Sequence, residues 1–313
     1  MKEWSDSVGT AKTLAELNEV RRKHLRNYYE RSRRSTILYA SGWLQKMEPA
    51  PTMLFDGDIR LFKEVSRDLD SEELDLILHS GGGDFAAART IIEQLRSQFT
   101  HIRVVVPQHA LSVAAWMCCG ADEIVMDDCA SLGPTDAQIP ILTAYGSDSV
   151  PAGAVLEATG RGKNAEGEPL HVGKREAIQN EMRLWQRVAA EWMDTYMFRE
   201  EAAGSSGIFA RWRRSIADQL LQRRSAGRKI AALLSDYPKF MTHHRHLHRD
   251  ELKRMGLLVQ DLERDEKLCK ACRAVYFATT STFTETNAAR IVENHRGQSF
   301  VVKASGSMDI ENV

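Results

Sequence analysis

The residues best suited to chemistry in this chain sit in two short strings, HSGGGD at 79–84 and HALSVAA at 109–115. Gly81, Gly82 and Gly83 leave backbone N–H groups uncovered by side chains, which is what the oxygen of a tetrahedral intermediate requires. Ser112 lies five residues after Pro107 and near the start of Leu111 to Cys119, a run of small residues that reads as a helix. A serine at such a strand-to-helix turn presents its hydroxyl at the positive end of the helix, with the Val113 amide beside it. These are two parts of an acyl-transfer site and make the chain a candidate serine hydrolase. A plainer reading of the same residues is a tight glycine turn and a serine that merely caps a helix.

A serine hydroxyl becomes a nucleophile only with a base. No histidine follows Ser112 in a clear loop until His171, whereas Lys163 lies earlier, in the glycine-flanked string GRGKNAEGEP. Lysine can take the proton if burial disfavours its ammonium. Most loop lysines are instead solvated and charged.

The elements that must position these groups follow from periodicity. LDLILH (74–79) and IRVVVP (102–107) are continuous apolar runs, as expected of strands buried on both faces of a mainly parallel sheet. DEIVM (122–126) is a third strand, and STILYAS (35–41) reads as the first. Between them Phe85, Ala88, Ile91, Ile92, Leu95 and Phe99 recur on one helical face. Strand, helix, strand, helix, strand with short loops implies right-handed crossovers and an α/β fold. The glycine bend and the serine turn then fall at the carboxyl ends of adjacent strands, where open α/β sheets place their ligands.

Outside this core, 10–34 is a densely charged helix expected to face solvent or a partner, and 59–69 is an amphipathic helix. The pattern loosens over 140–175, read as loops around a short helix near PAGAVLEA. A long helix over 175–203 carries a stripe with Trp185 and Trp192, and 211–234 is a basic amphipathic helix or helix pair. SFVVKA (299–304) is a late strand, and SGSMDIENV is expected to fray. The expected divisions are a helical extension over 1–34, a core over 35–203, and a helical and mixed α/β region over 204–313.

Composition narrows the classes. Of 313 residues 43% are hydrophobic, enough for a sizeable core, and the formal net charge of −1 offers no whole-chain attraction to nucleic acid or anionic lipid. The five cysteines are an odd number, which suits a reducing compartment better than a disulfide framework. No apolar leader opens the sequence, and no run reaches the roughly 18 apolar residues that span a bilayer. A soluble, cytoplasmic protein is expected. His243, His244, His246 and His248 with Cys269 and Cys272 form a conceivable zinc set, although a single C-x-x-C is also one helical turn. The arginines of 211–228 are read as a solvated face and not as a nucleic-acid site.

HSGGG, the Ser112 turn and LGPTDAQI (132–139), in that order and spacing, resemble the serine dehydrogenase proteinase family. That family lies in the Clp protease and signal peptide peptidase A superfamily, with a Clp/crotonase fold. STILYASGWLQ, VPAGAVLEA, THHRHLHRDELKRMGLLV and IVENHRG are also similar to family segments, so the likeness extends over roughly residues 30 to 300. The resemblance implies a repeated ββα superhelix with a parallel core and flanking helices. It implies Ser112 as nucleophile, and Gly82 and Gly83 as the oxyanion loop, to which the residue reading adds the Val113 amide. GKNAEGEPL is similar to the lysine loop of signal peptide peptidases, so the resemblance implies Lys163 as the base of a Ser/Lys dyad, with Lys174 and His171 as competitors. Asp136 falls near the histidine of Clp proteases and is read as an orienting or loop-capping carboxylate.

The expected activity is therefore ATP-independent serine endopeptidase action on protein or peptide substrates, by a homo-oligomer without cofactor or metal. Two departures bear on it. Ala114 stands where the family has a glycine two residues after the nucleophile, and Gly81 stands where the oxyanion loop has proline. They keep open an inactive scaffold that binds peptides or partner proteins through the same groove. Acyl-CoA chemistry of the crotonase type is a third reading, with no basic-plus-aromatic adenine pocket beside the glycine loop to support it.

Overall fold

Burial alternates along the apolar runs, so that each strand feeds two cores. In the computed structural model Leu74, Leu76 and Leu78 join one buried cluster while Ile77 joins another. Val104 and Val106 part from Val105 in the same way, as do Ile124 and Met126 from Val125. Covering both faces is what permits such uniformly apolar strands. The structure describes residues 11–47, 50–143, 146–160, 172–199, 226–240, 242–243, 245–305 and 308–311.

The strands of the main sheet are β1 (Ser35–Ser41), β2 (Glu73–His79), β3 (His101–Val106), β5 (Glu123–Met126), β10 (Val259–Asp261), β11 (Ala288–Asn294), β12 (Ser299–Lys303) and β13 (Met308–Glu311). They run in the order β10-β5-β3-β2-β1-β11-β12-β13. From β10 to β1 every pairing is parallel, and β11, β12 and β13 add antiparallel. The architecture is thus mixed α/β with a parallel-rich central sheet. A small second sheet joins β4 (His109–Ala110), β6 (Ser131–Leu132) and β9 (Leu247–His248).

Helix α1 (Leu14–Ser32) begins with a capping box in which Glu16 N–H donates to Thr13 Oγ1 and Thr13 N–H to Glu16 Oε2. The helix is expected to face solvent or a partner, and one side of it, with Glu19, Lys23 and Arg26, is exposed, but the other side packs inward. Leu17, Leu25 and Tyr28 are buried, and the helix lies against the long helix Glu266–Glu285 of the same chain. The charge density misled because part of it points inward: Arg21 Nε donates to Glu293 Oε2 at 2.5 Å with both side chains fully buried. Tyr28 OH similarly donates to Asp75, which also holds Arg103 and Arg34.

On the other face lie α2 (Asp56–Ser66), α3 (Phe85–Gln98) and α4 (Val113–Cys119). Asp84 caps α3 by accepting from Ala87 N–H at 2.7 Å. Beyond β6, the strands β7 (Gln138–Thr143) and β8 (Gly146–Pro151) pair as an antiparallel hairpin where loops are expected, followed by α5 (Ala152–Gly160). Composition hides this hairpin because GSDS carries turn residues but pairs as strand. The long helix α6 runs Val172–Trp192 and ends in a π turn, Met193–Met197. Trp192 is buried and Trp185 packs on the core, with its ring stacked 4.5 Å from that of Phe85. Within SGSMDIENV, where fraying is expected, Met308–Glu311 instead pair with β12 as β13. Among the described residues no helix is long and apolar enough to cross a membrane. Arg211, Arg213, Arg214, Arg223 and Arg224 of the expected basic helix lie outside the described residues.

Candidate active site

Strands β2 and β3 end side by side, and the two chemistry-bearing strings emerge from those ends. Leu111 N–H donates to Ser80 O, and Ser80 N–H to His109 O, so the strings are stitched together before either reaches its key residue. Ser112 then turns sharply. Its backbone sits at φ 51°, ψ −120°, and Ala114 N–H donates to Leu111 O at 2.9 Å. This is the geometry of a type II′ turn with Ser112 in the slot that glycine normally takes. A non-glycine residue there costs roughly 1–3 kcal/mol and persists only where its surroundings over-determine it.

Those surroundings are two glycines. A Cβ on Gly82 would lie 2.8 Å from Ser112 Cβ and 3.3 Å from its Oγ, so the serine side chain rests directly on the glycine bend. A Cβ on Gly133 would lie 2.8 Å from Ser112 N and 2.9 Å from Leu111 Cα. The LGP motif therefore has a steric cause: the chain after β6 must pass over the serine turn with no side chain between. Trp116 Nε1 donates to Thr135 O at 3.1 Å, tying α4 to the same passing segment.

The glycine bend has its own anchor. Leu54 N–H donates to Gly82 O at 2.9 Å, and Asp84 N–H donates to Leu54 O at 2.8 Å. Gly82 and Gly83 both have positive φ, and a Cβ on Gly83 would lie 2.1 Å from Leu54 O. With Leu54 bridged to one edge of the bend, the Gly83 amide faces the other edge. The Gly82 amide is already engaged, donating to Ser80 Oγ at 3.1 Å. Among the described residues neither the Gly83 amide nor the Val113 amide has an acceptor. Ser112 is half-buried, and Val113 and Ala114 are buried beneath it.

Asp136 is buried and holds two partners. Gln138 Nε2 donates to its Oδ2 at 2.9 Å, and His243 Nδ1 lies 2.8 Å from its Oδ1. With hydrogen on Nδ1, the imidazole donates to this carboxylate, which fixes the orientation of the ring. The sequence reading did not foresee this carboxylate–imidazole pair, because the two residues meet only through the antiparallel pairing of β6 with β9. Lys163 and His171 lie outside the described residues, and Lys174 is in the first turn of α6.

The conceivable zinc set is not assembled among the described residues. His243 goes to Asp136, His246 Nδ1 lies 2.7 Å from Ser131 Oγ, and His248 Nδ1 lies 3.1 Å from Ala130 O. Cys269 and Cys272 are buried in the helix Glu266–Glu285, and His244 lies outside the described residues. The groups that could hold an ion among the described residues contain no histidine. They centre on Asp127, which Arg273 already neutralises with two hydrogen bonds.

Behind the glycine bend lies a histidine cluster. The Trp43 ring lies 3.1 Å from where a Gly81 Cβ would be, and it is 6.4 Å from His79 and 6.2 Å from His109. His79 is fully buried, neither ring nitrogen meets a hydrogen-bond partner among the described residues, and burial, then the neighbouring His109, push it down to about 3. Burial, then His246 and His248, push His109 down to about 4. Both imidazoles are therefore neutral in the folded protein at physiological pH.

Residues 54–167 match the family model of ClpP-like SDH-type serine proteinases. Leu54, the glycine bend, Ser112 and Asp136 all lie within this match, which is to a family of serine proteinases. Two uncharacterized proteins of Methanocaldococcus jannaschii are also similar. MJ0137 is 41% identical over 66 residues, which are 21% of this chain and 23% of that protein. MJ1495 is 35% identical over 85 residues, 27% of this chain and 26% of its own. The matches span about a quarter of the length of these curated relatives. Among solved structures, a mutant of a membrane-bound stomatin-specific protease aligns with 36% of this chain and 62% of its own at 14% identity, with a TM-score of 0.28.

Two outcomes follow from this geometry. Ser112→Gly relieves the turn strain, so it unfolds at a higher temperature than Ser112→Ala in parallel calorimetric scans; equal or reversed stabilities would show an unstrained turn. Because unfolded histidine titrates near 6.5, the unfolded chain binds protons that folded His79 and His109 exclude, and stability falls as pH drops from about 6.5 toward about 4. Midpoint temperatures measured across that range should show the slope, and His79→Gln should make it shallower while leaving the His109 contribution.

Proposed function

We propose that the protein is a serine endopeptidase in which Ser112 is the nucleophile and the amides of Gly83 and Val113 form the oxyanion hole. Ser112 Oγ attacks a substrate peptide carbonyl and gives up its proton to a base. The carbonyl oxygen, now an oxyanion, is received by the two amides. Collapse of the intermediate breaks the C–N bond, the base protonates the departing amine, and water then hydrolyses the acyl-serine by the same steps in reverse. One observation carries this reading: a strained serine packed on a glycine bend, flanked by two amides that have no acceptor among the described residues. Gly83 is preferred to Gly82 because the Gly82 amide already serves Ser80 Oγ.

The base in this proposal is Lys163, from the likeness of its loop to the lysine loop of signal peptide peptidases. Lys174 and His171 are the alternatives in the same region. The His243–Asp136 pair supports a second reading, in which a carboxylate-oriented imidazole does the same work. The wider proposal follows the family. It comprises a Clp/crotonase-type repeated ββα core over 35–203, an extension over 1–34, and a region over 204–313 that completes the domain or an oligomer interface. It also comprises a cytoplasmic homo-oligomer acting on proteins or peptides without ATP, cofactor or nucleic acid. The inactive peptide-binding scaffold is the competing outcome, motivated by Ala114.

Labelling with a fluorophosphonate, read by mass spectrometry, and peptide hydrolysis test these assignments. The expected result is a single adduct on Ser112, with hydrolysis lost in a folded Ser112→Ala variant. A well-folded wild type that neither labels nor cleaves favours the scaffold. Lys163→Ala should lower kcat by about 10²–10⁴-fold while His243→Gln does not, and the opposite pattern transfers the base to His243.

A further inference from the structure

The glycine bend is aimed by Leu54, and Leu54 is in turn held by a buried cation. Arg290 lies in β11, opposite Ser41 of β1, and its side chain is 1% exposed. Its Nη1 donates to Pro51 O at 2.7 Å and to Met53 O at 2.8 Å. Its Nη2 lies 3.2 Å from Asp58 Oδ1, and its guanidinium carbon lies 4.5 Å from the centre of the Phe55 ring. Asp58, also fully buried, accepts from Phe55 N–H at 3.0 Å and from Tyr39 OH at 3.3 Å. The ion pair thus holds backbone groups on both sides of Leu54: the Pro51 and Met53 carbonyls and the Phe55 amide. Leu54's own N–H and C=O are left to meet Gly82 O and Asp84 N–H.

We propose that Arg290 is a positioning residue for the oxyanion hole, acting through Asp58, the 51–55 segment and Leu54 to aim the Gly83 amide at the oxygen that forms beside Ser112. The inference rests on the reading of Ser112 as nucleophile and names a residue which that reading does not use. Two features support it. A planar fork with several donors is needed to hold two carbonyls and a carboxylate at once, which a lysine ammonium on its flexible stem does less well. Burying an ion pair is also a costly way to stabilise a core, since apolar residues of equal volume often serve as well or better. Strand β11 offers an internal comparison, because Glu293 forms an equally buried pair with Arg21 whose further hydrogen bonds run to Thr282 and Arg22 and not to 51–55.

The test compares Arg290→Met, Arg290→Lys and Arg21→Met with wild type and Ser112→Ala. The readouts are peptide kcat and KM, melting temperature, and inhibition by a peptide aldehyde against the matching alcohol. The aldehyde adds the serine oxygen to its carbonyl carbon, and its own oxygen then occupies the hole; the alcohol does neither. Arg290→Met is expected to lose about 10²-fold in kcat with KM within about threefold, and to lose aldehyde but not alcohol affinity. Arg290→Lys keeps the charge beside Asp58 and is the safeguard against misfolding; it is expected to melt near wild type yet lose about tenfold in kcat. Arg21→Met is expected to melt lower with kcat and the aldehyde-to-alcohol ratio unchanged. A folded Arg290→Met or Arg290→Lys with wild-type kcat and ratio overturns the inference. So does an Arg21→Met variant that loses as much of both. A wild type with no Ser112-dependent labelling overturns the nucleophile reading instead, and the inference falls with it.

Discussion

Everything at the candidate site depends on the absence of two β-carbons. Gly82 lies against the Ser112 side chain and Gly133 against its backbone nitrogen, so the serine turn is wedged between two chain segments that approach it bare. The wedge holds Ser112 at a φ of 51°, a conformation that costs on the order of 1–3 kcal/mol. One fully buried leucine or isoleucine contributes a similar amount, about 1.5–3 kcal/mol, and the strands beneath the turn bury many. The strain is therefore easily offset by the core, and its effect is local: the hydroxyl cannot retreat from the glycine bend.

The rest of the fold can be understood as support for that wedge from three directions. Parallel strands β2 and β3 deliver the glycine bend and the serine turn to one edge, where main-chain bonds between Ser80 and residues 109–111 keep them in step. The small sheet β4-β6-β9 brings Gly133 over the turn and sets His243 against Asp136. The antiparallel strand β11 contributes Arg290 from beyond β1, reaching the loop that braces Gly83. Behind the bend, Trp43 and two neutral histidines fill the space with aromatic rings. Charge on His79 would be costly there, since no hydrogen-bond partner meets either ring nitrogen among the described residues.

Much of the central sheet was legible because β2, β3 and β5 are short, apolar and punctuated by glycine or proline, so length and pattern agree. The meeting of Ser112 with the glycines at adjacent strand ends was legible because the chemistry they suggest demands particular residue types at such ends. What stayed hidden depends on contacts between distant parts of the chain. The charges of α1 suggest solvent, but Arg21 faces Glu293 across the whole length of the sequence. Asp136 meets His243, and Arg290 meets Pro51 and Met53, only because strands far apart in order lie side by side. Gly82 and Gly83 look equivalent in a run of three. Only the Ser80 hydroxyl and the Leu54 bridge tell their amides apart.

The central claim is that the oxygen of a tetrahedral centre on Ser112 sits between two particular amides. The most direct measurement is a crystal structure of the protein after reaction with a peptidyl phosphonate. The account predicts phosphorus bonded to Ser112 Oγ, with one phosphonate oxygen about 2.7–3.1 Å from both the Gly83 and the Val113 nitrogen. An adduct whose oxygens meet neither amide, or that forms on another residue, would contradict it.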